Sequence, residues 1–305
     1  MLATVKALFS AIVDYAGLFP PAQLSLQTAM ANYVQYQASP HAWMLGRLVL
    51  PATRLEEFVE LLPTFSLQHW PLSLIMAGKA DEMAATLTKV RSLAANHPAI
   101  AIQALEFPPL ASAEIAALVL PPQLETHQVE AFFEIPLDQT LPAYLAVLQR
   151  QGAAAKIRTG GVTAAAFPSV TQLCEFIYTC AQAQIAFKAT AGLHHPLPGN
   201  YALTYEPESA TATMYGFLNV SLVAACIYWQ KITPADALKL LQTTSTDAFF
   251  LTEEIVSWNQ HQLSLAEIVT ARKQMFHAFG SCSFVEPIAG LQALQLQLSP
   301  PSFSL

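Results

Sequence analysis

Short apolar segments alternate with longer segments of helical periodicity over the first two thirds of the chain. Residues 44–50 and 129–134 are typical of the short segments, which are almost continuously apolar and end at a polar residue or a proline. Such segments are characteristic of strands buried on both faces of a parallel sheet. Each is followed by apolar residues at helical spacing, and the pattern predicts seven strand-and-helix units of roughly 25 to 35 residues.

Consecutive strand-and-helix units favour closure of the sheet into a barrel. An open, doubly wound sheet is the alternative, but the glycine-rich phosphate-binding motifs that often accompany it follow none of the early strands. We therefore predict an α/β fold, a (βα)8 TIM-like barrel with an extended helical C-terminal segment, and a single domain formed by residues 1–305.

The rhythm breaks after residue 195. Residues 196–278 are predicted to be an insertion or extension that is mainly helical, and residues 299–305 a flexible tail. A strongly apolar segment, residues 211–230, is predicted as one helix with too few polar residues for a free surface. It either caps the barrel or forms a subunit interface, and the second alternative would give a homodimer.

Composition narrows the class of protein further. Hydrophobic residues make up 53% of the chain and charged residues 11%, which indicates a large buried core. The net charge is −7 and no basic cluster occurs, so a nucleic-acid partner is not expected. Apolar runs are interrupted before they reach the length of about 18 residues that a membrane span requires, so we expect no membrane partner and a cytoplasmic location.

Two lysines end two neighbouring predicted strands, and they are the strongest chemical signal in the sequence. Lys156 occurs in AAAKIRTGG and Lys188 in IAFKATAGL, with a predicted helix between them at residues 167–184. The carboxyl ends of parallel strands carry the active site in barrels and open sheets alike. Lysine is seldom buried without a partner, so this pair requires a functional or electrostatic reason.

A lysine becomes a nucleophile when its surroundings lower its pKa. Apolar walls and a second cation both disfavour the ammonium form, and Lys156 has alanine-rich flanks and Lys188 on the next strand. Carboxylates at other strand ends would oppose this effect if they paired directly with Lys156. Catalysis is therefore favoured by an arrangement in which the carboxylates lie nearer to Lys188.

The two lysine motifs resemble those of class I, Schiff-base aldolases of the deoxyribose-phosphate aldolase kind. AKIRTGG and FKATAGL are similar to that family's K-T-S-T-G and K-A-S-G-G motifs, and FGSCS, which contains Ser281 and Ser283, is similar to its Gly-Ser phosphate turn. The resemblance implies a (βα)8 barrel in which Lys156 forms the imine and Lys188 is its electrostatic partner. It also places Gly160, Gly161, Ser281 and Ser283 at the substrate. We expect no cofactor and no metal.

Other charged residues also fall at predicted strand ends. Glu106 and Glu134 could act as general bases, as metal ligands or simply as partners that neutralise the buried lysines. Arg47 and Arg158 suit a carboxylate or phosphate on an anionic small-molecule substrate, because a guanidinium binds planar oxyanions bidentately. Asp14, at the end of the first predicted strand, is assigned to substrate binding with them.

The adjacent pair His194 and His195 leaves several functions open. It could bind a metal together with Glu106 or Glu134, act as a general acid–base, or lie on the loop without a chemical role. The remaining histidines are predicted to lie on the surface. The favoured function is an aldolase-like lyase acting on a small carbonyl or phosphorylated metabolite. The alternatives are a metal-dependent barrel enzyme and a non-catalytic barrel that binds an anionic metabolite.

Overall fold

A computed structural model describes residues 1–120 and 129–294, and its central feature is a closed barrel of eight parallel strands. The prediction of an α/β barrel is confirmed. The first seven barrel strands follow one another along the chain with helices between them. They are β1 (Val13–Tyr15), β2 (Leu45–Pro51), β3 (Trp70–Ile75), β4 (Ile100–Phe107), β5 (Glu130–Glu134), β6 (Ala154–Arg158) and β7 (Phe187–Thr190).

A long segment is inserted before the eighth barrel strand. It contains an antiparallel hairpin of β8 (Gly199–Ala202) and β9 (Thr211–Met214), and an antiparallel sheet of β10 (Phe249–Leu251), β11 (Ile255–Trp258) and β12 (His261–Ser264). The eighth barrel strand is β13 (Phe276–Ser281). Residues 196–278 are thus an insertion rather than an extension, and their predicted end falls inside β13.

Helices surround the barrel and fill the insertion. In the described part of the chain they are α1 (Ala3–Phe9), α2 (Leu26–Gln37), α3 (Leu55–Leu61), α4 (Ala80–Asn96), α5 (Ser112–Ala117), α6 (Leu141–Gln151), α7 (Val170–Gln182), α8 (Phe217–Tyr228), α9 (Pro234–Leu241), α10 (Leu265–Gln274) and α11 (Val285–Ala293). Of the predicted helical C-terminal segment, α11 follows the last barrel strand. The predicted tail, residues 299–305, lies outside the described residues.

Helix α8 accounts for the apolar segment near the middle of the insertion. The prediction of one helix over residues 211–230 is wrong at its start, because the first four residues form β9. The helix packs beside α7, α9 and α10 and is buried along nearly all of its length. Its composition therefore needs no second subunit, and the homodimer stays a prediction. In the described ranges no helix combines the length and apolarity needed to cross a bilayer.

The register of the barrel brings the charged residues together. The strand order is β1-β13-β7-β6-β5-β4-β3-β2, and β2 pairs with β1 to close the barrel. Lys156 on β6 is the register partner of Lys188 on β7 and of Glu134 on β5. Side chains alternate along a strand, so partners that face the barrel interior meet at one level of it.

Candidate active site

A cavity of 650 Å³ opens at the carboxyl ends of the barrel strands. Its walls are formed by the strand ends, by the loops that follow them, and by the β8–β9 hairpin of the insertion. The cavity lies at the edge of the barrel where the sequence predicts the active site. The ionisable side chains that line it are Glu106, Glu134, Lys156, Arg158, His194, His195, Tyr201, Tyr205, Cys282 and Glu286.

The ammonium of Lys188 is fully buried and is held by two carboxylates. Its Nζ donates to Oδ2 of Asp14 at 2.6 Å and to Oε1 of Glu106 at 2.7 Å. Burial lowers the pKa of Lys188, but the charges of Asp14 and Glu106 outweigh burial and raise the pKa above its ordinary value. Ser73 donates a further hydrogen bond of 2.7 Å to Glu106. Lys188 is therefore a fixed cation.

Glu106 is the carboxylate shared by the two lysines. Burial raises the pKa of Glu106, whereas the charges of Lys188 and Lys156 lower it, and the result is a pKa of about 2. Oε1 of Glu106 is bound to Lys188, and Oε2 lies 3.5 Å from Nζ of Lys156. Glu106 therefore remains ionised at neutral pH and serves both strands as a fixed negative charge.

Lys156 differs from Lys188 because it lines the cavity and is held more loosely. Its Nζ lies 3.5 Å from a carboxylate oxygen of Glu106 and 3.5 Å from one of Glu134, longer than the hydrogen bonds that fix Lys188. The side chain is only 5% exposed. The expectation that the strand-end carboxylates lie nearer to Lys188 holds for Glu106 but is wrong for Glu134, which lies at ion-pair distance from Lys156.

Glu134 and Arg158 form a second ion pair at the entrance to the cavity. Arg158 binds Glu134 bidentately, with its Nε at 3.0 Å from Oε1 and its Nη2 at 3.3 Å from Oε2. The Arg158 side chain is 50% exposed, whereas that of Glu134 is 13% exposed. Glu134 therefore connects the buried Lys156 to a guanidinium that faces both solvent and the cavity.

Two of the predicted substrate-binding residues, Asp14 and Arg47, lie within the barrel below the cavity. Among the described residues that line the cavity, neither is found. The Arg47 backbone N–H donates to Oδ1 of Asp14 at 2.9 Å, and its guanidinium binds Glu130 and Gln103. Arg47 is the third residue of a seven-residue strand rather than its last, which is why it lies low in the barrel.

His277 belongs to the same lower cluster, and its predicted surface position is wrong. Its Nδ1 lies 2.5 Å from Oε1 of Glu130, and its Nε2 lies 2.9 Å from the carbonyl oxygen of Lys273. Burial raises the pKa of Glu130, but the hydrogen bond from His277 and the charge of Arg47 lower it to about 2. Glu130 and His277 lie at the starts of β5 and β13, so this cluster lies toward the amino-terminal ends of the strands.

His194 and His195 diverge at the cavity wall. Nδ1 of His194 lies 2.6 Å from Oε2 of Glu286, and its Nε2 lies 3.9 Å from Sγ of Cys282. Burial lowers the pKa of His194, but hydrogen bonds to Cys282 and Glu286 raise it to about 9. His195 instead stacks on Tyr201 with ring centroids 3.5 Å apart, and burial lowers its pKa to about 4.

The divergence of the two histidines bears on metal binding. In residues 1–120 and 129–294, no three His, Cys, Asp or Glu side chains are grouped as the ligands of a metal ion would be. A ligand set needs side chains that converge on one point.

The glycines and serines predicted to bind substrate mainly contact other parts of the chain. A Cβ on Gly160 would lie 2.7 Å from Cα of Gly192, so Gly160 allows the loops after β6 and β7 to touch. Gly161 lines the cavity. The Ser281 hydroxyl donates to the carbonyl oxygen of Ser283 at 2.6 Å, and the Ser283 hydroxyl accepts from the N–H of Glu286 at 3.1 Å.

Comparisons with protein-family models, with curated proteins and with solved structures find no match for this chain. The protein is an α/β barrel with a charged cavity at the carboxyl ends of its strands. The aldolase resemblance rests on the short sequence motifs alone.

Several residues of the site were missed in the sequence. Tyr205 lies in a loop without periodicity, and Cys282, like the other three cysteines, has no CxxC spacing that would mark it. The alternation of side chains along β5 could have placed Glu130 in the barrel. A closed barrel needs an eighth strand, and the segment after helix α10, which contains His277, could have been assigned to it. In the sequence Glu286 follows Ser283 at the spacing of a helix capping pair, which gives no sign of its contact with His194.

Proposed function

We propose that this protein is an imine-forming lyase that cleaves or forms a carbon–carbon bond in a small carbonyl compound. The observation that carries the proposal is the contrast between the two lysines. Lys156 lines the cavity between two carboxylates, whereas Lys188 is buried behind it in a fixed ion pair. An amine that can be reached by substrate and is flanked by proton acceptors is what imine formation requires.

The first step is attack of the neutral Lys156 amine on the substrate carbonyl carbon. A C–N bond forms, the carbonyl oxygen takes up a proton, and loss of water then gives a protonated imine. In the cleavage direction a β-hydroxyl group loses its proton, the adjacent carbon–carbon bond breaks, and its electron pair moves to the iminium nitrogen. An aldehyde leaves, the carbon of the resulting enamine takes up a proton to restore the iminium, and water then releases the second product from Lys156.

Glu134 is the proton carrier in this scheme. Its carboxylate lines the cavity and lies 3.5 Å from Nζ of Lys156, within reach of the ammonium proton and of substrate oxygens. Glu106 is less suited to this role, because its pKa of about 2 keeps it ionised and its other oxygen is bound to Lys188. Glu106 and Lys188 supply a fixed electrostatic frame instead.

Arg158 favours an anionic substrate. Half of its side chain is exposed beside the reactive lysine, so its guanidinium can turn from Glu134 to a phosphate or carboxylate on the substrate. The walls contributed by Pro20, Pro108 and Leu203 are apolar and limit the access of water to the imine. We therefore propose a substrate with a small carbon skeleton and one anionic group.

Turnover of β-hydroxy carbonyl compounds tests the proposal. Wild-type protein is incubated with phosphorylated and unphosphorylated β-hydroxy aldehydes and ketones, and aldehyde release is followed with a coupled dehydrogenase. We expect release by the wild type and its loss in Lys156→Arg, which keeps the charge but is too basic to form an imine. A Lys156→Arg variant that retains the wild-type rate would exclude the imine mechanism.

A non-catalytic anion-binding protein is the second candidate, and the exposed guanidinium of Arg158 favours it. This candidate needs no reaction at Lys156. Under this candidate, calorimetry detects binding of phosphorylated compounds, but no compound is turned over. Binding would persist in Lys156→Arg and be lost in Arg158→Gln, and these results together would favour an anion-binding protein over an enzyme.

A further inference from the structure

A second reactive group lies in the same cavity, on the side formed by β7 and β13. Cys282, His194 and Glu286 all line the cavity. Sγ of Cys282 lies 3.9 Å from Nε2 of His194, and Nδ1 of His194 lies 2.6 Å from Oε2 of Glu286. A thiol, an imidazole and a carboxylate in this order form a nucleophile, a base and a group that orients the base.

The fold brings these three residues together from separate parts of the chain. His194 follows β7 and Cys282 follows β13, and the two strands are neighbours in the barrel. Glu286 lies in the first turn of α11, directly after the turn that contains Cys282. Its backbone N–H is capped by Ser283, which leaves the carboxylate free to bind the imidazole. None of the three takes part in the ion pairs of Lys156 and Lys188.

The surroundings of Cys282 differ from those of the other cysteines. Cys174 and Cys180 lie in α7 and Cys226 lies in α8. Burial raises the pKa of Cys174 to about 11 and that of Cys226 to about 12, and it raises the pKa of Cys180 as well. Those three thiols are held in an unreactive form, whereas Cys282 has an imidazole beside it and a cavity in front of it.

We propose that Cys282 is a second nucleophile of this cavity and accepts an acyl group from a small thioester or activated ester. In this reaction the Cys282 thiol passes its proton to Nε2 of His194, and Sγ forms a bond to the acyl carbon. The bond from that carbon to the leaving thiolate or alkoxide breaks, and the leaving group takes the proton from His194. The product is an S-acyl enzyme, which water or another acceptor then cleaves.

Glu286 and Tyr205 are the positioning residues in this scheme. Glu286 accepts the Nδ1 proton of His194, so that Nε2 faces the sulfur as the acceptor. The hydrogen bonds that raise the pKa of His194 to about 9 favour the imidazolium, so His194 retains the thiol proton until the leaving group takes it. The Tyr205 hydroxyl lies 3.5 Å from Sγ of Cys282 and can donate to the sulfur as negative charge develops there.

The activated ester p-nitrophenyl acetate tests the proposal in the full chain. We expect a burst of nitrophenolate equal to one per chain, and peptide mass mapping should place one acetyl group on Cys282. His194→Gln should slow the burst by on the order of a hundredfold, whereas His41→Gln, a histidine outside the cavity, should leave it unchanged. A burst of equal rate in His194→Gln, or acetylation of other residues alone, would overturn the proposal.

A second measurement uses only the wild-type protein, so it does not depend on whether a variant folds. Iodoacetamide applied to the native wild-type chain should alkylate Cys282 before any of the three helical cysteines, and equal or slower reaction of Cys282 would contradict the proposal. Neither measurement includes a carbonyl substrate or borohydride. Their failure would therefore leave the imine mechanism at Lys156 untouched, and failure of the imine mechanism would leave acylation of Cys282 untouched.

Discussion

Lys156 and Lys188 are direct register partners on adjacent strands, yet only Lys156 lines the cavity. Lys188 is fully buried and binds Asp14 and Glu106 through hydrogen bonds of 2.6 Å and 2.7 Å. Asp14 and Glu106 neutralise the Lys188 ammonium, and Glu106 also lies 3.5 Å from Nζ of Lys156. We propose on this basis that Lys188 has a structural and electrostatic role and that Lys156 has the chemical one.

Replacement of Lys188 by methionine should strongly destabilise the fold. The change leaves Asp14 and Glu106 as buried carboxylates without their main partner, and breaking a buried ion pair from one side costs roughly 3 to 5 kcal/mol. The matched control is Lys89→Met, which removes an exposed lysine that pairs with Glu56 and should cost less than about 1 kcal/mol. Urea unfolding measures both, and equal losses would contradict the assigned role of Lys188.

Acid should destabilise the protein through Glu106 and Glu130. Charged partners in the fold lower the pKa of each from 4.5 to about 2. Because the folded pKa lies below the unfolded one, each carboxylate stabilises the fold above pH 4.5, and this stabilisation is lost as the pH falls toward 2. The shift corresponds to on the order of 3 kcal/mol for each group.

Urea midpoints measured across this pH range test the acid effect. Glu106→Gln removes one of the two groups, so the midpoint should fall less steeply with acid than in the wild type. Glu60→Gln removes an exposed carboxylate of α3 and should keep the wild-type slope. An unchanged slope in Glu106→Gln would show that Glu106 does not contribute.

The lysine pair could be predicted because its signal is local. Each lysine interrupts an apolar strand segment, and the intervening helix places both at one edge of the sheet. Glu106 and Glu134 were placed at that edge for the same reason. The height of a residue along its strand was harder to predict. Arg47 lies low in the barrel because β2 continues for four residues beyond it.

Contacts between distant segments could not be read from the sequence. Ser283 and Glu286 have the spacing of a capping box, but only the serine hydroxyl caps the helix. The Glu286 carboxylate turns to His194, more than ninety residues earlier in the chain, because neighbouring strands bring the two together. The β8–β9 hairpin escaped prediction because its strands are short and partly exposed.

Gly160→Ala should disturb the entrance of the cavity. The new Cβ would lie 2.7 Å from Cα of Gly192 and 2.6 Å from the Phe167 ring, and backbone on the neighbouring loop cannot move aside cheaply. We expect a loss of about 1 to 3 kcal/mol of stability. In Gly280→Ala the nearest atom lies at 3.7 Å, an ordinary contact, so the same thermal unfolding measurement should show little change. Equal effects would contradict the proposed close approach of the loops.

Arg158→Gln should discriminate between anionic and neutral substrates. Loss of a charge-assisted hydrogen bond should reduce the affinity for a phosphorylated aldehyde by on the order of tenfold, and the affinity for the unphosphorylated aldehyde should hardly change. Arg150→Gln, an exposed arginine of α6, is the control for loss of one positive charge. The concentration dependence of imine trapping gives both affinities, and parallel losses would argue against an anion contact at Arg158.

Reductive trapping tests directly whether Lys156 forms an imine with a carbonyl substrate. Borohydride is added to the protein with a panel of small aldehydes and ketones, phosphorylated ones included, and peptide mass mapping locates the covalent adduct. Lys156→Arg serves as the control for adducts on surface lysines. We expect one adduct per chain on Lys156 and none on the buried Lys188. The absence of an adduct on Lys156 across the panel, or an adduct on Lys188 instead, would contradict imine formation at Lys156.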